Sequence, residues 1–87
     1  MSKYSRDFTK EFEKDLKKIR FDFELQKRLK NKIEEVLKNP HHYKPLRHVL
    51  KGMRRIHIGS FVLIFEIIEN EKAVAFHRFK HHDEAYK

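Results

Sequence analysis

Two stretches of this chain hold the residue types that move protons: "MRRIHI", residues 53–58, and "FHRFKHHDEAYK", residues 76–87. Imidazole is charged or neutral near neutral pH, so it can accept, donate or relay a proton, or bind a metal. As metal ligands, His77, His81 and His82 are poorly spaced, because a helix would have to run through a segment that begins as a strand. No cysteine and no evident fourth ligand completes a tetrahedral set, so no metal is expected. His41 and His42, which follow Pro40, read as loop residues. As proton carriers the histidines make better sense. Two imidazoles that meet across an open face, flanked by Arg or Lys, can cleave RNA by its own 2′-hydroxyl. One takes the 2′-proton, the oxygen attacks phosphorus in line, cations hold the developing charge, and the other protonates the departing 5′-oxygen. That chemistry calls for no cofactor.

The whole chain sets limits on where such a site can lie. Eighty-seven residues make a single domain, 1–87, with room for one core, so a site must be superficial or a shallow groove. Against 13 Asp and Glu stand 21 Lys and Arg, a formal charge of +8 that favours polyanions. RNA, DNA or an acidic protein is the expected class of partner. The polar start "MSKYSRDF" and the lack of a long apolar run point away from secretion and membrane spans, so a cytoplasmic protein is expected.

The elements that must position the histidines follow from hydrophobic period. Phe8, Phe12, Leu16 and Ile19 fall on one helical stripe, with Thr9 placed to cap it. Leu25, Leu29, Ile33 and Leu37 repeat every four residues, from a cap at Asp22 to a stop at Asn39-Pro40. The charged stretches "KDLKKIR" and "KRLKNKIEE" read as solvated helix surface. Residues 3–6 offer a short edge strand. After residue 52 the period becomes two. "MRRIHI", Gly59-Ser60 and "FVLIFEII" read as a hairpin with a type II′ turn, and "KAVAFHRF" adds a third strand beyond a turn at Glu69-Asn70-Glu71. Only Glu66 interrupts the middle strand, which should therefore be central and covered on both faces. The expected class is α+β, an N-terminal antiparallel helical hairpin packed on a small twisted antiparallel sheet. Parity places Ile56 and Ile58 toward the helices and Arg55 and His57 on the opposite, open face.

In this order, "FTKEFEKDLKKI", "KPLRHVLKGMRRIHIGSFVLIFEII" and "FHRFKHHDEAY" resemble the RelE/ParE superfamily of toxins from toxin–antitoxin modules. The Arg-x-x-His strand and the terminal His-(x)3-aromatic, here Arg54, His57, His82 and Tyr86, are most similar to the YafQ branch. The resemblance implies a ribosome-dependent mRNA interferase that acts without metal and is restrained by a small antitoxin, alone or as a dimer or heterotetramer. It makes His57 and His82 the proton carriers, without deciding which is the acid, a role assigned here to His82 as the one nearer the chain end; Arg55 and Arg54 are the phosphate stabilisers, and Tyr86 the aromatic that closes the site. Lys51, Arg54, Arg78, Lys80 and His81 are the candidates for substrate binding; otherwise these cations are a solvated sheet rim. Three positions depart from the pattern. Val62 replaces an Arg of many relatives, which leaves Arg55 or Lys80 as the clamp. Lys44 replaces a His, so a third imidazole would come from His42 or His48. Ser60-Phe61 replaces Asp-Trp. The rival readings are a ParE-like protein that binds DNA gyrase and a relative that binds RNA or its partner without catalysis.

Overall fold

The computed structural model describes residues 3–43 and 52–85. Lys44, His48, Lys51 and Tyr86, all invoked above, lie outside the described residues. Strand β1 (Ser5–Phe8) leads into helix α1 (Lys10–Lys18), and helix α2 (Phe23–Lys38) returns antiparallel to a 3-10 turn at Pro40–His42. Strands β2 (Met53–Ile58), β3 (Phe61–Ile68) and β4 (Ala73–His81) form the meander, which ends in a one-turn helix α3 (His82–Ala85). Both helices begin where their capping residues direct. Thr9 Oγ1 accepts the amide of Phe12, and Asp22 Oδ1 that of Leu25, each at 3.1 Å. Each such cap is worth ~1 kcal/mol. Pro40 cannot continue α2, and the helix ends two residues before it.

The sheet order is β1-β4-β3-β2, which makes β3 central as its apolar composition required. The edge strand forms at Ser5–Phe8, slightly later than residues 3–6, and pairs parallel to β4. The sheet is therefore mixed, a long-range choice that alternation in the sequence does not encode. Phe12, Leu29, Val36 and Leu37 from the helices meet Leu63, Phe65, Val74 and Phe76 from the sheet in one core. Phe76 lies at its centre, with ring centroids 5.8 Å from Phe12 and 6.0 Å from Phe65. Gly59 has φ 60°, whereas Ser60 is not among the positive-φ residues, as a type II′ turn demands. Gly59 thus sets the β2–β3 register, and Ile56 and Ile58 enter the core while His57 stays exposed.

One feature of β4 departs from simple alternation. Leu63 pairs with Phe79 and Phe65 with Phe76, so His77 is an extra residue, a β-bulge. Phe76 and Phe79 consequently both face the helices, and β4 extends to His81 rather than stopping at Phe79.

Candidate active site

The open face of the sheet is arranged in cross-strand rows. His57, Val62 and Lys80 form one row; Arg55, Ile64 and Arg78 form the next. Directly opposed residues share a face, so His57 and Lys80 flank Val62 with their α-carbons ~10 Å apart, two strand spacings. Val62 is fully buried between them. The amide of His82 donates to the carbonyl of Ser60 at 2.7 Å, which turns the chain at the end of β4 and starts α3 beside the β2–β3 turn. This brings the ring of His82 to His57, with centroids 5.9 Å apart and planes tilted by 37°. Residues 25 positions apart thus supply two imidazoles close enough for both to hydrogen-bond one phosphodiester at ~3 Å each. The His82 side chain remains 53% exposed, so a ligand has access to it. Arg55 stands exposed one row away.

Other candidate residues are placed elsewhere. Arg54 alternates with His57 and lies on the helix side of β2, where its guanidinium donates to the carbonyl of Tyr43. His81 pairs with Phe61, packs edge-on against that ring at 5.6 Å, and so also faces away from His57. Arg78 is drawn to α1: its Nε and Nη2 donate to the carboxylate of Asp15 at 2.9 and 3.1 Å. His77 does not join His81 and His82; it contacts Glu66 on the open face at 3.0 Å. Glu66, the lone polar residue of β3, thereby finds its partner. Among the described residues no group of three or more His, Asp or Glu is arranged to hold a metal ion.

Asp15 corrects the surface reading of "KDLKKIR". It is 2% exposed, and besides Arg78 it accepts the backbone amide of Phe79 at 2.8 Å. The signal was present in the sequence, since Asp15 falls three residues after Phe12 and four before Ile19, within the apolar stripe. A carboxylate on a buried stripe requires a cation and an N–H donor, and β4 provides both.

Away from this face, Glu69 joins three elements. Tyr4 donates to it at 2.5 Å and His41 contacts it at 2.6 Å, so His41 is a structural partner rather than a loop bystander. The bond from Tyr4, then that from His41, holds the Glu69 carboxyl below its ordinary range, while the carboxylate raises the Tyr4 phenol. A concavity of about 740 Å³ runs between α1 and α2. Phe8, Leu16, Leu29 and Ile33 floor it, Phe23 stands exposed at its end, and Arg6, Lys17, Arg20, Gln26, Lys27 and Lys30 rim it with no acid among its lining. At the hairpin tip Phe21 and Phe23 are 76% and 73% exposed.

Residues 7–86 match the sequence profile of the ParE toxin of the type II toxin–antitoxin system, parDE. The chain belongs to this toxin family. A Methanocaldococcus jannaschii protein named RelE4 is 53% identical over 62 residues, spanning 70% of this toxin and 66% of that protein. The toxin superimposes on a chain of the RelBE2 toxin–antitoxin complex of Mycobacterium tuberculosis with a TM-score of 0.80 and 25% identity, covering 92% of this chain and 99% of that one. It also matches a chain of the Escherichia coli DinJ-YafQ toxin–antitoxin complex at a TM-score of 0.75, covering 99% and 100% of the two chains. At 20% identity the latter likeness establishes the fold alone. The two-helix, four-stranded α+β architecture is thus that of RelE-like toxins. Among the described residues no helix is long and apolar enough to cross a membrane.

Proposed function

We propose that this toxin is an endoribonuclease that cuts mRNA engaged on the ribosome. The observation that carries the reading is the approach of the exposed His57 and His82 to 5.9 Å, with Lys80 in the His57 row and Arg55 in the next. In the proposed reaction one imidazole removes the 2′-proton, and the 2′-oxygen attacks the adjacent phosphorus. The bond to the 5′-oxygen breaks as the other imidazole protonates it, leaving a 2′,3′-cyclic phosphate and a 5′-hydroxyl. We assign the acid to His82, which sits on a one-turn helix at the end of β4. Lys80 stands in the His57 row on the strand beside Val62, so its ammonium is the nearest replacement for an Arg at position 62; Arg55 supports it from the next row. Arg54 and His81 face away and are set aside as phosphate ligands. Tyr86, by resemblance alone, remains the proposed closing aromatic.

The partner that restrains the toxin is a small acidic antitoxin. The groove between α1 and α2 supports this, because an apolar floor within a rim of five cations and no acid suits an amphipathic acidic helix. The proposed setting is the cytoplasm, where ribosomes and antitoxin are found. Primer extension on mRNA undergoing translation is the direct test. Cuts confined to translated codons, absent when translation is blocked, are expected; uncut message at inhibitory toxin levels would reject the nuclease.

The match to a ParE profile favours a second reading, a toxin that binds gyrase. That reading gives the histidine pair no task. A toxin with both histidines replaced that still arrests growth would establish it.

A further inference from the structure

A cleavage site here requires Lys80 and His82 to reach the face of His57, and plain alternation does not take them there. Phe76 faces the helices. Strict alternation from Phe76 would turn Phe79 outward and return Lys80 to the helix side. The extra residue at His77 reverses this: Phe79 re-enters the core opposite Leu63, and Lys80 stands opposite Val62, in line with His57.

Helix α1 grips this bulge on both sides. β1 ends at Phe8, opposite Phe76, so beyond that pair no strand among the described residues lies beside this edge of β4. The hydroxyl of Thr9 is shared between the carbonyls of Phe76 and His77, at 3.3 and 3.1 Å. One helical turn and a half later, Asp15 accepts the amide of Phe79 at 2.8 Å and binds Arg78 with both oxygens. A buried carboxylate thus takes the Phe79 amide, which β1 does not reach.

We propose that Asp15 is a positioning residue: by holding the Phe79 amide and Arg78 it keeps the extra residue at His77, and with it Lys80 and His82, on the face of His57. The functional consequence rests on the nuclease reading, whereas the positioning itself does not. In Asp15→Asn the carboxylate charge and the two-oxygen grip on Arg78 are lost at nearly constant volume. The expected result is a folded protein in which the nuclear Overhauser contact between the His57 and His82 rings disappears, the Tyr4–His41 contact persists, and kcat for ribosome-bound mRNA falls at least tenfold with KM little changed. A merely structural role would lower the melting temperature and leave the ring contact and kcat intact, and that outcome overturns the proposal. Should Asp15→Asn fail to fold, Asp15→Glu keeps the charge but displaces the oxygens by one methylene. Loss of the ring contact there supports the proposal, and wild-type contact and kcat refute it. A wild-type protein that cuts no RNA, beside variants that lose the ring contact, supports the positioning and rejects the nuclease.

Discussion

If one imidazole removes a proton and the other delivers one to the same phosphodiester, the two must fail as a unit. His57→Ala and His82→Ala should each slow single-turnover cleavage by roughly 10²- to 10⁴-fold, the usual contribution of a general acid or base. At ~1.36 kcal/mol per tenfold change, that is about 3 to 5 kcal/mol of transition-state stabilisation. The double variant should be scarcely slower than the worse single one, because either half of the proton exchange alone is of little use. Stability should hardly move: His82 is 53% exposed and His57 is exposed, and neither belongs to the core. A change within ~0.5 kcal/mol is expected for such sites. The assay is cleavage of a defined mRNA on stalled ribosomes across pH, alongside urea unfolding of each variant. The wild type should give a bell-shaped profile, and each single variant should lose one limb. If the two losses multiply in the double variant, the rings act independently and the shared-phosphodiester mechanism is wrong. The same conclusion follows if His82→Ala cuts at the wild-type rate.

Other expectations concern stability and partner binding. Lys3 and Arg6 bind Glu34 and lower its carboxyl to about 2 from 4.5. A lowered folded value stabilises at pH above the unfolded one, and that contribution fades as pH falls from about 4.5 through about 2. Glu34→Gln should therefore flatten the decline of the urea midpoint between pH 5 and pH 2; an unchanged slope would show the pair inert. Gly59 has φ 60°, and an added Cβ would meet Arg28 Nη1 at 3.2 Å. Arg28 can yield, so Gly59→Ala should lose ~1–2 kcal/mol, chiefly the backbone penalty of the left-handed region, measured by urea unfolding. Lys27→Glu with Lys30→Glu on the groove rim should weaken the acidic antitoxin at least tenfold in calorimetric titration while mRNA cleavage by the free toxin persists. Unchanged affinity would move the partner off this groove.

How much of this was legible beforehand depended on the range of the interaction. Caps at Thr9 and Asp22, the stop before Pro40 and the Gly59 turn are decided by neighbours within a few residues, and each formed as expected. Parity along "MRRIHI" correctly turned His57 outward because β2 contains no irregularity. The same rule fails in "AVAFHRFKHH", where apolar residues three apart, Phe76 and Phe79, both enter the core. Asp15 was misjudged for a related reason. Lys14, Lys17 and Lys18 crowd it in sequence, whereas its partners in space are 63 and 64 residues away.

Composition, period and turn chemistry alone determine that this chain is a small basic α+β domain with His57 on an exposed sheet face. Only the tertiary structure decides that His77 is the extra residue of a bulge, that Arg78 is held by a buried carboxylate, and that His82 comes to rest beside His57. The physical reason is that β1 ends at Phe8, opposite Phe76, and does not partner the rest of β4. Those backbone groups must be satisfied by α1, and the residue that satisfies them sets which face every later side chain occupies.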